Sequence, residues 1–223
     1  MTTLFLIRHG LTAQTGKILY GQTRGIALDE RGTAQAERLA DRFAPVRLTA
    51  IYSSPLERCV ETVRPLAERQ RLQVLERDEL IEMHAGSWTG KPLSRLRRMK
   101  RWHEVINSPS TFRFPDGGES YVDAQRRAVS EVERIARRHR RGRVAIATHG
   151  DILRILLAHF EGAPLDAFQR VVVDTASVSV IHLGGGTPYV LLVNDTGGLE
   201  RFGLAPAHRR RPPDAGGPKK LRG

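Results

Sequence analysis

A chain of 223 residues with 40% hydrophobic content is long enough for one substantial core and falls within the range of a single α/β domain. No run approaches the ~18 apolar residues of a membrane span, and the apolar run near the N-terminus is shorter than the ~7–15-residue core of a signal peptide, so a cytoplasmic protein is expected. One cysteine, Cys59, excludes an intramolecular disulfide and a thiolate metal cluster; no metal centre and no cofactor are expected.

The net charge of +12 invites a nucleic-acid reading, but arginine outnumbers lysine 31 to 5, and Arg209, Arg210, Arg211, Lys219, Lys220 and Arg222 stand against Asp214 alone in residues 203–223. The excess left in the body suits an acidic substrate as well as a phosphate backbone. No basic platform interleaved with aromatics appears, so no nucleic-acid partner is expected.

In chain order, Leu4-Phe5-Leu6-Ile7 has the composition of a buried strand and stops at Arg8-His9-Gly10. Ligands of open α/β sheets bind at the C-terminal strand ends, so a cation, an imidazole and a glycine stand where a ligand would lie. Residues 11–28 hold Gly16, Gly21 and Gly25 with little periodicity and read as a loop over that strand end. Asp29 is expected to cap a helix with apolar Ala34, Ala36, Leu39, Ala40 and Phe43, ending before Pro45. A strand over 48–53 follows, and Ser53-Ser54-Pro55 opens a helix to about residue 70. Arg58 lies one turn in, where it is either a bidentate anion clamp or one of the chain's many surface arginines.

Residues 73–76 read as a short strand. Glu82 then sits among Leu80, Ile81 and Met83; burial there would raise its carboxyl pKa and ready it as a general acid, whereas exposure would leave an ordinary loop carboxylate. His84 is a second acid or a structural histidine. Over 91–114, Lys91, Arg95, Arg97, Arg98, Lys100 and Arg101 interleave with Leu93, Leu96, Met99 and Trp102, a spacing that predicts a helix with one face packed down, acting as a lid over the strand ends. The turn Pro115-Asp116-Gly117-Gly118-Glu119-Ser120 leads into a long helix to about residue 140. Residues 143–148 are again a short strand, ending in His149-Gly150 with an apolar helix opening at Asp151. The repeated strand, His-Gly, helix plan brings two histidines toward one pocket. Strands over 177–183 and 189–193 flank Gly184-Gly185-Gly186 as an antiparallel hairpin. Beyond about residue 203 the Pro, Gly and Arg content cannot support a core, and a disordered tail is expected.

The expected fold is therefore α/β, a three-layer sandwich. Its central sheet is mostly parallel with one antiparallel edge strand, helices cover both faces, and a small helical lid is added. Residues 1–202 form one domain with the lid inserted at about 91–117, followed by the tail at 203–223.

Several blocks now stand in order: Arg8-His9-Gly10 with Thr12; Ser53-Ser54-Pro55-Leu56-Glu57-Arg58-Cys59-Val60-Glu61-Thr62; Leu80, Glu82, Gly86, Trp88 and Gly90; and Thr148-His149-Gly150. Together they resemble the histidine phosphatase superfamily in its phosphoglycerate-mutase-like branch, of the small broad-specificity phosphatase type. The resemblance implies that His9 is a nucleophile that becomes phosphohistidine, that Arg8, Arg58 and His149 form a cationic phosphate pocket, and that Glu82 donates a proton. It also implies phosphate or substrate contacts at Thr15, Gln22 and Gly150, and no metal. Two departures stand out: Leu11 and Thr15 replace the Glu and Asn that many members carry, and Ala85 replaces an aromatic, which implies a wider substrate side.

The activity so implied is hydrolysis of a small acidic phosphorylated substrate. The alternative is a 2,3-bisphosphoglycerate-dependent mutase, which in this family generally has a longer excursion between its Glu block and second His; here Glu82 and His149 are 67 positions apart, which favours the hydrolase. A non-catalytic phospho-ligand or nucleic-acid binder is the minor alternative. The sequence leaves a homodimer open.

Overall fold

A computed structural model of the chain describes residues 1–197, so the expected tail at 203–223 lies outside the described residues. The elements, in order, are β1 (Thr2–Arg8), β2 (Ile18–Leu19), α1 (Glu30–Arg42), β3 (Ala50–Ser53), α2 (Glu57–Gln70), β4 (Val74–Glu76), β5 (Lys91–Pro92), α3 (Leu93–Leu96), α4 (Trp102–Asn107), α5 (Tyr121–Arg138), β6 (Arg143–Thr148), α6 (Gly150–Glu161), β7 (Val178–Leu183) and β8 (Tyr189–Asp195). Short 3₁₀ turns lie at Asp78–Leu80, Gly86–Trp88, Pro109–Thr111 and Leu165–Arg170.

Six strands form one sheet in the order β4-β3-β6-β1-β7-β8. β1, β3, β4 and β6 pair in parallel, as buried runs flanked by helices do. β7 is the strand that runs against them, one in from the edge, and β8 returns outside it as the second half of the hairpin. Helices cover both faces. Leu4, Leu6, Val144 and Ile146 face Val132, Ile135, Leu153 and Leu157 of α5 and α6, while Ile7, Ile51, Ala145 and Ala147 face Leu39, Val63 and Leu66 of α1 and α2. Alternate residues of each strand thus serve opposite cores, which explains why β1 and β6 read as continuous apolar runs.

The expected cap of α1 holds for the reason given. Asp29 accepts a hydrogen bond from the Gly32 N–H at 2.8 Å, and the loop ahead of it stays irregular apart from β2. Ser120 caps α5 by accepting from the Asp123 N–H at 3.1 Å.

The basic stretch at 91–114 is a correction. It is not one helix but β5, α3, α4 and a 3₁₀ turn. Pro92 precedes α3, and Ser108-Pro109 ends α4, because the residue before a proline is pushed out of the helical region. The apolar spacing reflects an aromatic cluster instead: Trp88 stacks on Trp102 with ring centroids 6.0 Å apart and meets Phe112 and Phe114 at 5.6 and 5.7 Å. β5 pairs with β2, which ties the base of this segment to the loop after β1.

Candidate active site

Register builds the site. In the parallel ladder Arg8 is the partner of Thr148, so the next residues, His9 and His149, leave the sheet side by side, with the His9 N–H on the Thr148 carbonyl at 2.9 Å. On the far side of β6, Ser53 pairs with Ala147, and Ser54 therefore arrives at the same edge. The two imidazole centroids lie 5.3 Å apart, and both rings are buried.

His9 Nδ1 lies 2.7 Å from the Gly10 carbonyl oxygen, which can only accept, so Nδ1 carries the proton and Nε2 holds a lone pair. Burial, then the cations of Arg8 and Arg58, push its pKa down to about 3. An imidazole in this state is a neutral nucleophile at any physiological pH. His149, which precedes the first turn of α6, bonds through Nε2 with Ser54 Oγ at 2.7 Å, and burial and Arg58 hold it well below the usual histidine range.

Arg58 is fully buried, which removes the surface-arginine alternative. Its Nη2 donates to the Gly21 carbonyl at 2.8 Å and its Nη1 to the Thr23 carbonyl at 3.2 Å, and the guanidinium lies 4.7 Å from the Tyr20 ring centroid. Arg58 thus anchors the loop that roofs His9 while holding a permanent charge beside it. Arg8 donates to the Val173 carbonyl at 2.8 Å, and its Nε and that of Arg58 are buried without a hydrogen-bond partner among the described residues. Gly150 makes room for Arg8: a Cβ there would sit 3.3 Å from Arg8 Nε.

Glu82 comes from the loop after β4 and lines the same cavity as His9, Arg8 and Gly150. Burial, then the nearby Asp151 carboxyl, push its pKa up to about 7, against the Met83 N–H that donates to Oε1 at 3.0 Å. The loop is clamped from outside. Arg127 donates to the carbonyls of Glu79 and Glu82 at 2.7 and 3.2 Å and grips Glu119 with Nε and Nη2 at 2.6 and 2.9 Å. Gly86, at φ +53°, lets this loop lie against the Pro115 carbonyl, where a Cβ would approach to 1.7 Å.

The remaining candidates divide. Gln22 is at the loop, with its Nε2 donating to the Glu82 carbonyl at 2.8 Å, so its amide nitrogen holds backbone. Thr15 turns to Thr12: its Oγ1 accepts from the Thr12 N–H and bonds Thr12 Oγ1, both at 3.0 Å, and its neighbour Gly16 is the residue that lines the cavity. His84 is exposed, and it is not among the residues lining the cavity.

The cavity, about 390 Å³, is walled by Leu19, Leu93, Trp102, Ile106 and Phe114 and also takes in Tyr20, Arg97, Asp151, Arg154 and Gln169. Sequence reasoning did not single out Asp151 and Arg154 as site residues, although three-residue spacing just after His149-Gly150 puts them on one face of a helix that starts at the strand end. Gln169 left no such signal, since it arrives from a 3₁₀ turn. A larger cavity of about 690 Å³ opens at the opposite end of β1, between Arg137, Arg140, His159 and Gly184; chemistry selects the smaller one, which holds the low-pKa imidazole and the high-pKa carboxyl together. Among the described residues no group of three or more His, Cys, Asp or Glu side chains is gathered to hold a metal ion.

The family model described as histidine phosphatase superfamily, branch 1, matches residues 4–196. The chain belongs to this superfamily. "Phosphoserine phosphatase 1" of Hydrogenobacter thermophilus is 31% identical, over 91% of this chain and 96% of that protein. "Metal-independent phosphoserine phosphatase" of Arabidopsis thaliana is 31% identical over 82% of this chain and 77% of that one. Among solved structures, YhfR of Bacillus stearothermophilus superposes with a TM-score of 0.80 at 33% identity, covering 86% of this chain and 96% of that one. The protein is a phosphatase of the histidine phosphatase type, with that fold. Among the described residues no helix of this histidine phosphatase is long and apolar enough to cross a membrane.

Proposed function

We propose that this histidine phosphatase is a metal-independent phosphomonoesterase that hydrolyses a small phosphorylated metabolite through a phosphohistidine at His9. The observation that carries the reading is the 2.7 Å contact of His9 Nδ1 with the Gly10 carbonyl, since it leaves Nε2 as the nucleophilic atom beside two guanidinium groups. The phosphoryl group binds against Arg8, Arg58, His149 and the N-terminus of α6, whose first N–H groups have no side-chain cap. The two guanidinium groups neutralise the charge that develops during transfer while His149 and the helix N–H groups donate hydrogen bonds, so positioning and electrostatics supply the catalysis. His9 Nε2 forms a bond to phosphorus as the ester P–O bond breaks, and Glu82, protonated in part near pH 7, gives its proton to the departing oxygen. Glu82 then takes a proton from the water that attacks the phosphohistidine, releasing inorganic phosphate and restoring the neutral imidazole.

The test is a rapid-quench experiment with ³²P-labelled ester, stopped in alkali because a phosphoramidate survives base. A labelled protein that disappears in His9→Ala, together with phosphate release in the presence of chelator, is the expected result. Full turnover by His9→Ala would overturn the mechanism. Adding 3-phosphoglycerate with 2,3-bisphosphoglycerate tests the mutase reading, which would isomerise the acid with little phosphate release.

A further inference from the structure

Three charged groups of the cavity, Arg97, Asp151 and Arg154, take no part in that phosphoryl transfer, and Arg154 is the one set closest to Arg8. Arg154 lies one turn into α6, four residues after Gly150. Its stem points back toward the helix N-terminus, as every helical side chain does. It lines the cavity with His9 and Glu82 and is close enough to Arg8 to be the second cause, after burial, of that residue's lowered pKa.

Its protein contacts are loose. Nη1 donates to Asp151 Oδ1 at 3.4 Å and to Gln169 Oε1 at 3.5 Å, both beyond the ~2.7–3.2 Å of an ordinary N–H···O bond. The Arg–carboxylate pair at the same three-residue spacing on α5 is tight by comparison: Arg134 grips the buried Glu131 with two bonds of 2.7 Å. About a quarter of the Arg154 side chain is accessible, and Nε has no hydrogen-bond partner among the described residues. A guanidinium held so weakly at a cavity wall retains donors for a second anion.

We propose that Arg154, steadied by Asp151 and Gln169, is the specificity-determining residue of the cavity and binds a carboxylate on the organic part of the phosphomonoester. Placement supports the choice of ligand. Arg154 lines the same cavity as Arg8, His9 and Gly150 at the start of α6, so one small ester can present its phosphoryl group there and a carboxylate to Arg154. Planar carboxylate matches the guanidinium fork, and among the described residues the other arginines lining the cavity are Arg8, which serves the phosphoryl group, and Arg97. A cavity of about 390 Å³ also restricts the ester to a small molecule.

This inference rests on the proposed phosphomonoesterase reading, and its test separates the two. Values of kcat/KM are measured for two matched pairs, phospho-L-serine against O-phosphoethanolamine and 3-phosphoglycerate against glycerol 3-phosphate, each pair differing chiefly by the carboxylate. Wild type is expected to favour the carboxylate member of each pair by ~10–100-fold, the worth of a charged hydrogen bond. Arg154→Met should shrink that ratio at least tenfold, and Arg154→Lys should restore part of it. A wild-type ratio near one, or an Arg154→Met variant that loses all four substrates in equal proportion, overturns the proposal while leaving the phosphatase reading intact. A wild type inert to all four esters and to p-nitrophenyl phosphate overturns both.

Discussion

Arg8 and Thr148 face each other in the last pair of the β1–β6 ladder, and this pairing sets the 5.3 Å between the imidazoles that follow them. A slip of one residue in a parallel pair would move one ring along the strand by ~3.3 Å and turn it to the other face of the sheet. The ladder therefore does the positioning that a metal or a mobile loop does in other sites. Its rigidity comes from the two cores that hold the strands from both faces.

The state of His9 makes a claim about acid stability. Its folded pKa of about 3 lies below the ordinary 6.5 of an unfolded chain, so between these values the unfolded chain binds the extra proton. Stability from this group is fully present above pH 6.5 and is lost as pH falls toward 3. At pH 5 the loss is ~2 kcal/mol. Urea titrations at pH 7 and pH 5 should show wild type losing that much more than His9→Asn. Glu82, shifted up from 4.5 to about 7, acts with opposite sign but in both proteins alike. Equal losses would mean that His9 is protonated in the folded chain.

Arg58 has two jobs that one substitution exposes together. Arg58→Ala leaves the carbonyls of Gly21 and Thr23 without their donor and empties a buried space. Stability should fall by about 2–6 kcal/mol, at ~1–3 kcal/mol for each unsatisfied group. Phosphoryl transfer should fall as well, because the cation beside His9 is gone. A variant with unchanged melting temperature but lost activity would show that the loop does not depend on this anchor.

How far the sequence reaches is clearest at these residues. His9 and His149 were legible because each ends an apolar run in the same His-Gly pattern, a local signal. The role of Arg58 was not settled, since its acceptors are 35 and 37 positions away in a loop without periodicity, and burial of an arginine is decided by such tertiary partners. The basic segment misled because Leu93, Leu96, Met99 and Trp102 pack into one core at helical spacing although the helix is broken between α3 and α4. Arg154 was hidden among 31 arginines, and only the cavity singles it out.

Arg127 positions Glu82 through backbone alone, with its Nη2 on the Glu82 carbonyl and Nε and Nη2 on Glu119. Its charge also holds the Glu82 pKa down slightly against burial and Asp151. Arg127→Met should therefore lower kcat for an alkyl phosphate by ~10–100-fold through misplacement of the acid, and should move the alkaline limb of the pH profile upward. A purely structural clamp would cut the rate without moving the limb.

The leaving group decides whether Glu82 is the acid. An alkyl alkoxide is about as basic as hydroxide, whose conjugate acid has a pKa of ~15.7, and it needs a proton as it departs, whereas a nitrophenolate is stable in neutral water. Glu82→Gln keeps the size and the Met83 contact but removes the proton. Phosphoenzyme formation from an alkyl phosphate should slow by ~10²–10⁴-fold, with a much smaller loss on p-nitrophenyl phosphate. In wild type the alkyl substrate should lose rate as pH rises through about 7, where Glu82 gives up its proton, and Glu82→Gln should lack that limb. Single-turnover rates on both esters from pH 5 to 9 read both effects. Equal losses on the two substrates would reassign Glu82 to holding the phosphate or the loop, and the cavity's other raised carboxyl, Asp151, would become the group to test next.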